Sequence, residues 1–147
     1  MERTLILVKP DAVQRGLTGE IITRFERKGL KLVGARFLQI SNELAARHYA
    51  VHKGKPFYND LIKYITSGPV MAMALEGKGA VAVCRKLMGA TFGKDAEPGT
   101  IRGDFAMDKL NIVHGSDSIE NAEYEISLYF KPDDLVEYEL NNGRWIN

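Results

Sequence analysis

The segment "TLILVK" at residues 4–9 decides the fold, because a leucine-rich, β-branched run closed by Pro10 predicts a buried strand. Three later segments carry the same kind of signal, at residues 30–40, 69–77 and 111–115 ("LKLVGARFLQI", "PVMAMALEG" and "NIVHG"). Gly34 interrupts the alternation of the first of these, which indicates a bulge or a close packing contact. The sequence therefore predicts four strands.

Apolar residues at helical spacing occupy five segments around these strands, at residues 17–29, 41–52, 56–68, 78–89 and 118–130. Thr18 and Ser41 are the expected N-caps of the first two helices, and Gly29 is the expected end of the first. The stretch at residues 90–105 is rich in Gly, Pro, Asp and Thr, which predicts a loop.

The resulting order, β-α-β-α-α-β-α-loop-β-α, predicts an α+β fold. We expect a ferredoxin-like α/β sandwich in which helices cover a four-stranded antiparallel sheet and a helical pair is inserted. No repeat or linker divides the chain, so residues 1–147 are expected to form a single domain. The polar segment 131–147 is expected to pack as a tail on the body or on a neighbouring subunit, with Trp145 as an anchor.

The charge balance limits the possible partners. The 147 residues carry a net charge of +1, which supplies no general attraction to nucleic acid or to an acidic membrane, so neither is expected as a partner. The single cysteine, Cys84, excludes an internal disulfide and fits a reducing compartment. The opening apolar run is too short for a secretory signal, and no run reaches the ~20 residues that cross a bilayer. We therefore expect a cytoplasmic protein that recognises anions locally.

The usual nucleotide-binding loops are absent. The nearest stretch to a Walker A loop is "GATFGKD" at residues 89–95, which is one spacer residue too short and has Asp95 where Ser or Thr would hold magnesium. No G-x-G-x-x-G follows a predicted strand. If the chain binds nucleotides, it uses neither of these phosphate-binding loops.

His48 and His52 lie four residues apart on a predicted helix, a spacing that can bind a metal. The sequence between them, "HYAVH", lacks the glutamate that a zinc protease places after its first histidine. Such pairs also arise on amphipathic helices without any ligand, so we favour a structural role. We expect no metal to be held by protein side chains alone.

Three cationic side chains are candidates for binding phosphate. Arg102 lies in "PGTIRGDF", where the flanking glycines let a ligand approach the backbone, and Arg85 follows an apolar helix face. Lys9 ends the first strand, where it either extends its charge to solvent or contacts a ligand. Each arginine taken alone is more often solvated or paired with a carboxylate.

His114 stands at the end of an apolar run in "NIVHGSDS", residues 111–118. A neutral imidazole is a nucleophile toward phosphorus and also a general base, although many histidines beside turns are purely structural. Glu125, on the following helix, is the predicted partner for one ring nitrogen, and Ser116 is predicted to bond to both side chains. Together with Lys9 and two arginines, His114 favours phosphoryl transfer.

Five separated motifs, in this order, resemble those of the nucleoside diphosphate kinase family: "VKPDAVQRG", "HY…KPFY", "SGPVMAM", "PGTIRGDF" and "NIVHGSDS". The resemblance runs from Glu2 to about Phe130. It implies a ping-pong enzyme in which a nucleoside triphosphate gives its γ-phosphoryl group to His114 and a nucleoside diphosphate then collects it. It also implies Mg²⁺ that bridges the phosphates and is carried mainly by the nucleotide.

The resemblance also implies a role for each matching residue. The side chains around the transferred phosphoryl group and the phosphates are Lys9, Tyr49, Arg85, Thr91 and Arg102. Glu125 would orient His114 with help from Ser116. Asn111 and Lys9 would hold the sugar hydroxyl, and Phe57 would stack on the base with Leu61 nearby.

Two stretches depart from the family pattern. Residues 106–110, "AMDKL", are one residue shorter than the usual segment, which supplies an apolar wall opposite the stacking aromatic; here Met107 or Leu110 would replace it. Phe92 and Gly93 follow Thr91 where many members have Asn-Pro. The long tail resembles that of hexameric members more than that of tetrameric ones, so the resemblance favours a homo-hexamer and leaves a tetramer open.

Two other functions remain open at this point. The altered stretches are compatible with a regulatory module that binds nucleotides and has lost its chemistry. A ferredoxin-like RNA-binding module is disfavoured, because no strand is rich in aromatic residues and there is no basic excess.

Overall fold

Four strands form one antiparallel sheet in the order β2-β3-β1-β4 in the computed structural model, which describes all of residues 1–147. The strands are β1 (Glu2–Val8), β2 (Lys31–Gln39), β3 (Pro69–Gly77) and β4 (Val113–Gly115). The central strand β1 pairs with β3 along its whole length and with β4 only at its end, where Leu7 faces His114. The predicted α+β sandwich with a four-stranded antiparallel sheet is confirmed.

The helices are α1 (Pro10–Gln14), α2 (Thr18–Lys28), α3 (Asn42–His48), α4 (Tyr58–Ile65), α5 (Ala80–Met88), α6 (Ile101–Phe105) and α7 (Ile119–Tyr129). The inserted pair is α3 and α4. Short 3₁₀ turns cover Ala50–His52, Gly93–Asp95, Pro132–Asp134 and Gly143–Trp145.

Two of these helices contradict the sequence prediction. Pro10, interpreted only as the end of a strand, also begins α1, since its fixed φ and missing N–H suit the first helical position. The helix α6 lies inside the stretch predicted to be a loop. It begins because the side chain of Thr100 accepts a hydrogen bond from the amide of Gly103 at 3.0 Å, which caps this five-residue helix.

The predicted helix boundaries have mixed outcomes. Ser41 caps α3 by accepting from the Leu44 amide at 3.0 Å, and Gly29 ends α2 with φ 110°. The prediction for Thr18 is wrong: α2 begins at Thr18 itself, and Leu17 precedes it without a side-chain cap. The bulge is confirmed, because the pairing of β2 with β3 shifts register next to Gly34.

Alternate residues of β1 face two separate cores, one on each side of the sheet. Ile6 and Val8 pack with residues of α2, α5 and α6, whereas Leu5 and Leu7 pack with residues of α3, α4 and α7. Full burial of one such side chain contributes about 1.5–3 kcal/mol, so β1 stabilises both cores, and β4 pairs with its buried end.

The segment after α7 runs back along β2. The amide of Val136 donates to the carbonyl of Val33 at 2.8 Å, and the hydroxyl of Tyr138 donates to the carbonyl of Leu32 at 2.6 Å. Trp145 does not anchor the tail to its own chain, since it is 77% exposed, with the guanidinium of Arg144 5.0 Å from its ring centroid. No helix is long and apolar enough to span a membrane.

Candidate active site

A histidine and a carboxylate meet where β4 approaches α7. His114 is the middle residue of β4, and Glu125 is one of the buried residues of α7, with 9% exposure. The distance between His114 Nε2 and Glu125 Oε1 is 2.6 Å. The structure thus brings together the two side chains that the sequence paired.

Ser116 supports the carboxylate rather than the histidine. Its hydroxyl donates to Glu125 Oε1 at 2.9 Å and accepts from the amide of Leu5 at 3.3 Å. The expected bond of Ser116 to Glu125 is therefore confirmed, whereas the expected bond of Ser116 to His114 is wrong. The Leu5 amide takes that place, because Ser116 continues the pairing of β4 with β1.

The contact with Glu125 determines the tautomer of His114. An ionised carboxylate only accepts hydrogen bonds, so Nε2 carries the hydrogen and Nδ1 keeps its lone pair. Burial lowers the pKa of His114 to about 3, with Lys9, Arg102 and Arg85 acting in the same direction. The imidazole is therefore neutral at physiological pH, with Nδ1 as its free nucleophilic atom.

Lys9 and Asn111 form a hydrogen-bonded pair beside the histidine. Lys9 Nζ donates to Asn111 Oδ1 at 2.8 Å, and the side-chain nitrogen Nδ2 of Asn111 donates to the backbone carbonyl of Thr91 at 3.1 Å. Burial lowers the pKa of Lys9 to about 7, and the positive charge of Arg102 adds to the effect. An arriving phosphate would stabilise the protonated form.

Arg102 is largely committed to the protein backbone. Its guanidinium donates to the carbonyls of Asn111 at 3.2 Å, Gly89 at 3.1 Å and Val113 at 2.7 Å, and it is 6% exposed. Since a guanidinium has five N–H donors, two remain for a ligand. Arg85 is freer, with one bond from Nη1 to the carbonyl of Gly115 at 3.1 Å.

These side chains line a cleft of ≈ 240 Å³. The sequence-predicted residues on its wall are Lys9, Tyr49, Leu61, Arg85, Thr91, Arg102, Asn111, His114 and Glu125. Phe57 lies outside the wall, half exposed, with its ring centroid 5.3 Å from that of His52, which is part of the wall. Met107 and Leu110 are exposed and do not line the cleft.

His48 makes a contact with His114 that the sequence did not predict. Its ring centroid lies 4.6 Å from that of His114, and its Nδ1 lies 3.0 Å from the hydroxyl of Tyr129. His52 contacts Lys55 instead, so the two histidines do not converge on one point. No local signal marks the contact of His48 with His114, because the two belong to different elements that meet only in the folded chain.

A transition metal does not fit the cluster as it stands. His48, His114 and Glu125 each bring a potential ligand atom within 4.8 Å of the others. A tetrahedral zinc ion holds nitrogen and oxygen ligands about 3.3 Å apart, given bond lengths of about 2.0–2.1 Å. The 2.6 Å separation of His114 and Glu125 is that of a hydrogen bond.

The donor set does suit a hard cation that arrives with phosphate. Apart from Glu125, the only carboxylate on the cleft wall is that of Asp117, at the exposed rim, where it accepts from the side chain of Asn121 at 2.5 Å. One carboxylate cannot form an all-protein Mg²⁺ site, but it can supplement phosphate oxygens and water.

A ferredoxin-like sandwich with a neutral histidine, a carboxylate partner and three facing cations defines a class of protein, the phosphotransferases. Comparison with known proteins makes this specific. A family profile described as "Nucleoside diphosphate kinase" matches residues 2–135. A protein of that name from Thermomicrobium roseum is 56% identical over 147 residues, covering 99% of both chains. Another, from Pyrococcus furiosus, is 59% identical over 142 residues, covering 94% of this chain and 88% of that one.

A solved structure gives the same result. The nucleoside diphosphate kinase of Halobacterium salinarum, determined in complex with CDP, superposes with a TM-score of 0.96 at 52% identity, covering 99% of this chain and 98% of that one. The chain therefore belongs to the nucleoside diphosphate kinase family, and the resemblance found in the sequence is confirmed. It is a phosphotransferase that moves a phosphoryl group between nucleotides, by the family's ping-pong reaction through a phosphohistidine. Members of the family require a divalent cation.

Proposed function

We propose that Nδ1 of His114 is the atom that accepts the phosphoryl group. In the first step its lone pair forms the N–P bond while the bond from phosphorus to the bridging oxygen of the triphosphate breaks, and a nucleoside diphosphate leaves. In the second step the terminal phosphate oxygen of another diphosphate attacks phosphorus, and the N–P bond breaks. The observation that carries this assignment is the 2.6 Å contact of Nε2 with Glu125, which leaves Nδ1 free.

Charge stabilisation explains the rest of the catalytic set. The imidazole becomes cationic as Nδ1 bonds to phosphorus, and the carboxylate of Glu125 stabilises that charge through Nε2–H. Ser116 keeps the carboxylate in place through its hydroxyl. Phosphoryl transfer needs positioning and neutralisation of oxygen charges above all, which Lys9, Arg85 and Arg102 supply.

The nucleotide is held as a class rather than by its base. The base stacks on Phe57 at the mouth of the cleft, with Leu61 on the wall beside it. Lys9 and Asn111 bind the sugar hydroxyl, Tyr49 lies beside the phosphoryl group, and Thr91 holds the phosphates. Stacking does not read the edge of a base, so every common base is accepted.

The divalent cation in this proposal is Mg²⁺. It is held by the nucleotide phosphates and water, with Asp117 as the one carboxylate at the rim. Its chemistry is to neutralise phosphate charge during transfer.

The proposal also includes a homo-oligomeric assembly and a cytoplasmic location. Phe37, on the part of the edge strand β2 beyond the tail, and Trp145 are both exposed and offer surface to other copies of the chain, which supports a homo-oligomer. The length of the tail favours a hexamer over a tetramer. A single buried thiol, Cys84, fits a cytoplasmic location.

Labelling with γ-labelled ATP and Mg²⁺, without an acceptor, tests the proposed nucleophile directly. We expect one acid-labile label on the peptide that contains His114, and we expect it to leave as labelled GTP when GDP is added. The matched variant His114→Asn should take no label and keep its far-UV circular dichroism. Label on His48 or His52, or full turnover by the variant, would refute the assignment.

A further inference from the structure

The backbone just before His114 makes a strained turn. The amide of Val113 donates to the carbonyl of Asn111 at 2.6 Å, which closes a three-residue γ-turn around Ile112. Ile112 has φ 59°, and it is the only non-glycine residue with a positive φ. A γ-turn of this hand is rare, and a positive φ is unfavourable for a β-branched side chain. Such a conformation persists only where the surroundings hold it.

Neighbouring groups hold the peptide groups of this turn. The amide of Lys9 donates to the carbonyl of Ile112 at 2.9 Å, and Arg102 donates to the carbonyls of Asn111 and Val113. The remaining group, the amide of Ile112, donates to the hydroxyl of Tyr64 at 3.3 Å. Tyr64 is the one partner of the turn to which the proposed reaction gives no role.

Tyr64 is itself fixed from two directions. Its hydroxyl donates to Asp11 Oδ1 at 2.6 Å, so the hydroxyl hydrogen points to the carboxylate and a lone pair is free to accept from Ile112. The face of its ring lies under the ammonium of Lys9, with Nζ 4.9 Å from the ring centroid. One phenol on α4 thus contacts α1, the end of β1 and the turn before β4.

We propose that Tyr64 is a positioning residue for His114. Its hydroxyl, oriented by Asp11, holds the strained peptide of Ile112 and thereby sets the direction in which the imidazole leaves the backbone two residues later. The inference rests on the proposed function of His114. Relaxation of Ile112 to a negative φ would move Nδ1 relative to the bound phosphates, and a displacement of about 1 Å at a reacting atom is enough to lower a rate by up to ~10²-fold.

The variant Tyr64→Phe tests this role, because it keeps the ring under Lys9 and removes only the hydroxyl. We expect the single-turnover rate of His114 phosphorylation at saturating triphosphate to fall about tenfold, with KM for the diphosphate changed less than about twofold. The matched control is Tyr58→Phe on the same helix, whose hydroxyl makes no hydrogen bond, and its rate should equal that of the wild type. Rates are measured well below each variant's Tm, so a loss of stability alone leaves them unchanged.

A glycine at position 112 tests the part played by strain. Glycine adopts φ 59° without a steric penalty, so adding Tyr64→Phe to an Ile112→Gly background should cost less than about twofold in rate. The same tenfold loss in both backgrounds would overturn the inference. A Tyr64→Phe rate within twofold of the wild type would also overturn it, and that comparison decides alone if Ile112→Gly does not fold. Labelling of the wild type at His114 tests the proposed nucleophile separately from these ratios.

Discussion

The carboxylate Oε1 of Glu125 lies 2.6 Å from Nε2 of His114, and this one contact selects the nitrogen that is free to react. The two residues belong to different elements, β4 and α7, so their relative position is a property of the whole sandwich. The neutral state of the imidazole has a second source, the burial that lowers the pKa of His114 to about 3. Orientation and protonation state therefore have separate physical causes and can be tested separately.

Glu125→Gln tests the negative charge of the residue that contacts His114. The amide can still accept the hydrogen of Nε2, but it cannot stabilise the cationic phosphohistidine, so we expect kcat to fall on the order of 10²-fold with little change in KM. Steady-state kinetics with saturating nucleotides measures this. The control is Glu123→Gln, an exposed position on the same helix, which should match the wild type. A kcat for Glu125→Gln within threefold of wild type would show that the negative charge is not needed.

The buried histidines predict a loss of stability in acid. The pKa of His114 and that of His48 are both lowered to about 3, chiefly by burial. Both values lie below the ~6.5 of an unfolded histidine, so the unfolded chain binds more protons in between and stability falls as pH is lowered through this range. Each histidine contributes up to about 1.4 kcal/mol per pH unit.

Urea unfolding at pH 7.0 and pH 5.5 measures that effect. We expect a lower free energy of unfolding at pH 5.5, and a smaller difference in His48→Gln, which cannot take up the proton. Equal stability of the wild type at the two pH values would contradict the buried, neutral state of these rings.

Lys9→Met separates activity from stability. Burial lowers the pKa of Lys9 to about 7, so below that pH the folded chain carries a buried ammonium, which costs stability. Replacing it by an apolar side chain of similar length should raise the free energy of unfolding at pH 6 by about 1–3 kcal/mol. Activity should fall at least ~10²-fold, since a phosphate contact is lost.

The control for this change is Lys86→Met, at an exposed position on α5. We expect little change in stability or activity there. The assignment of a destabilising, functional charge to Lys9 fails if Lys9→Met unfolds more easily than the wild type at pH 6.

Gly93→Ala tests the contact between the two stretches that depart from the family pattern, the loop after Thr91 and the segment 106–110. The amide of Gly93 donates to the carbonyl of Asp108 at 3.1 Å, so the altered loop lies directly on the shortened segment 106–110. A Cβ at position 93 would overlap the carbonyl of Ala106. We expect a loss of about 3 kcal/mol in the free energy of unfolding, because backbone must move.

Gly19→Ala is the matched control. Gly19 lies in α2 with open space around its Cα, so alanine there should stabilise the chain by about 0.5–1 kcal/mol. Urea unfolding of both variants measures the contrast. Equal effects would show that the contact between the loop and the shortened segment is loose.

Local sequence patterns predict much of the architecture and part of the active site. The continuous apolar run of β1 follows from the burial of both its faces, and the helical spacing of α2, α4 and α7 follows from the burial of one face of each helix. Both patterns are readable over about ten residues. The short helices α1 and α6 were missed because a single turn depends on its cap and its packing more than on periodicity. The pairing of His114 with Glu125 was predictable, since the chain turns only once between them.

Contacts between residues distant in the chain were decided by the tertiary structure. His48 contacts His114, Tyr64 contacts Ile112, and the guanidinium of Arg102 donates to three backbone carbonyls. No spacing in the sequence predicts any of these contacts. They arise because the strand order β2-β3-β1-β4 brings the end of β1 next to β4 and packs α3, α4 and α6 around that point. Periodicity tells which face of an element is buried, whereas the topology of the sheet determines which buried faces meet.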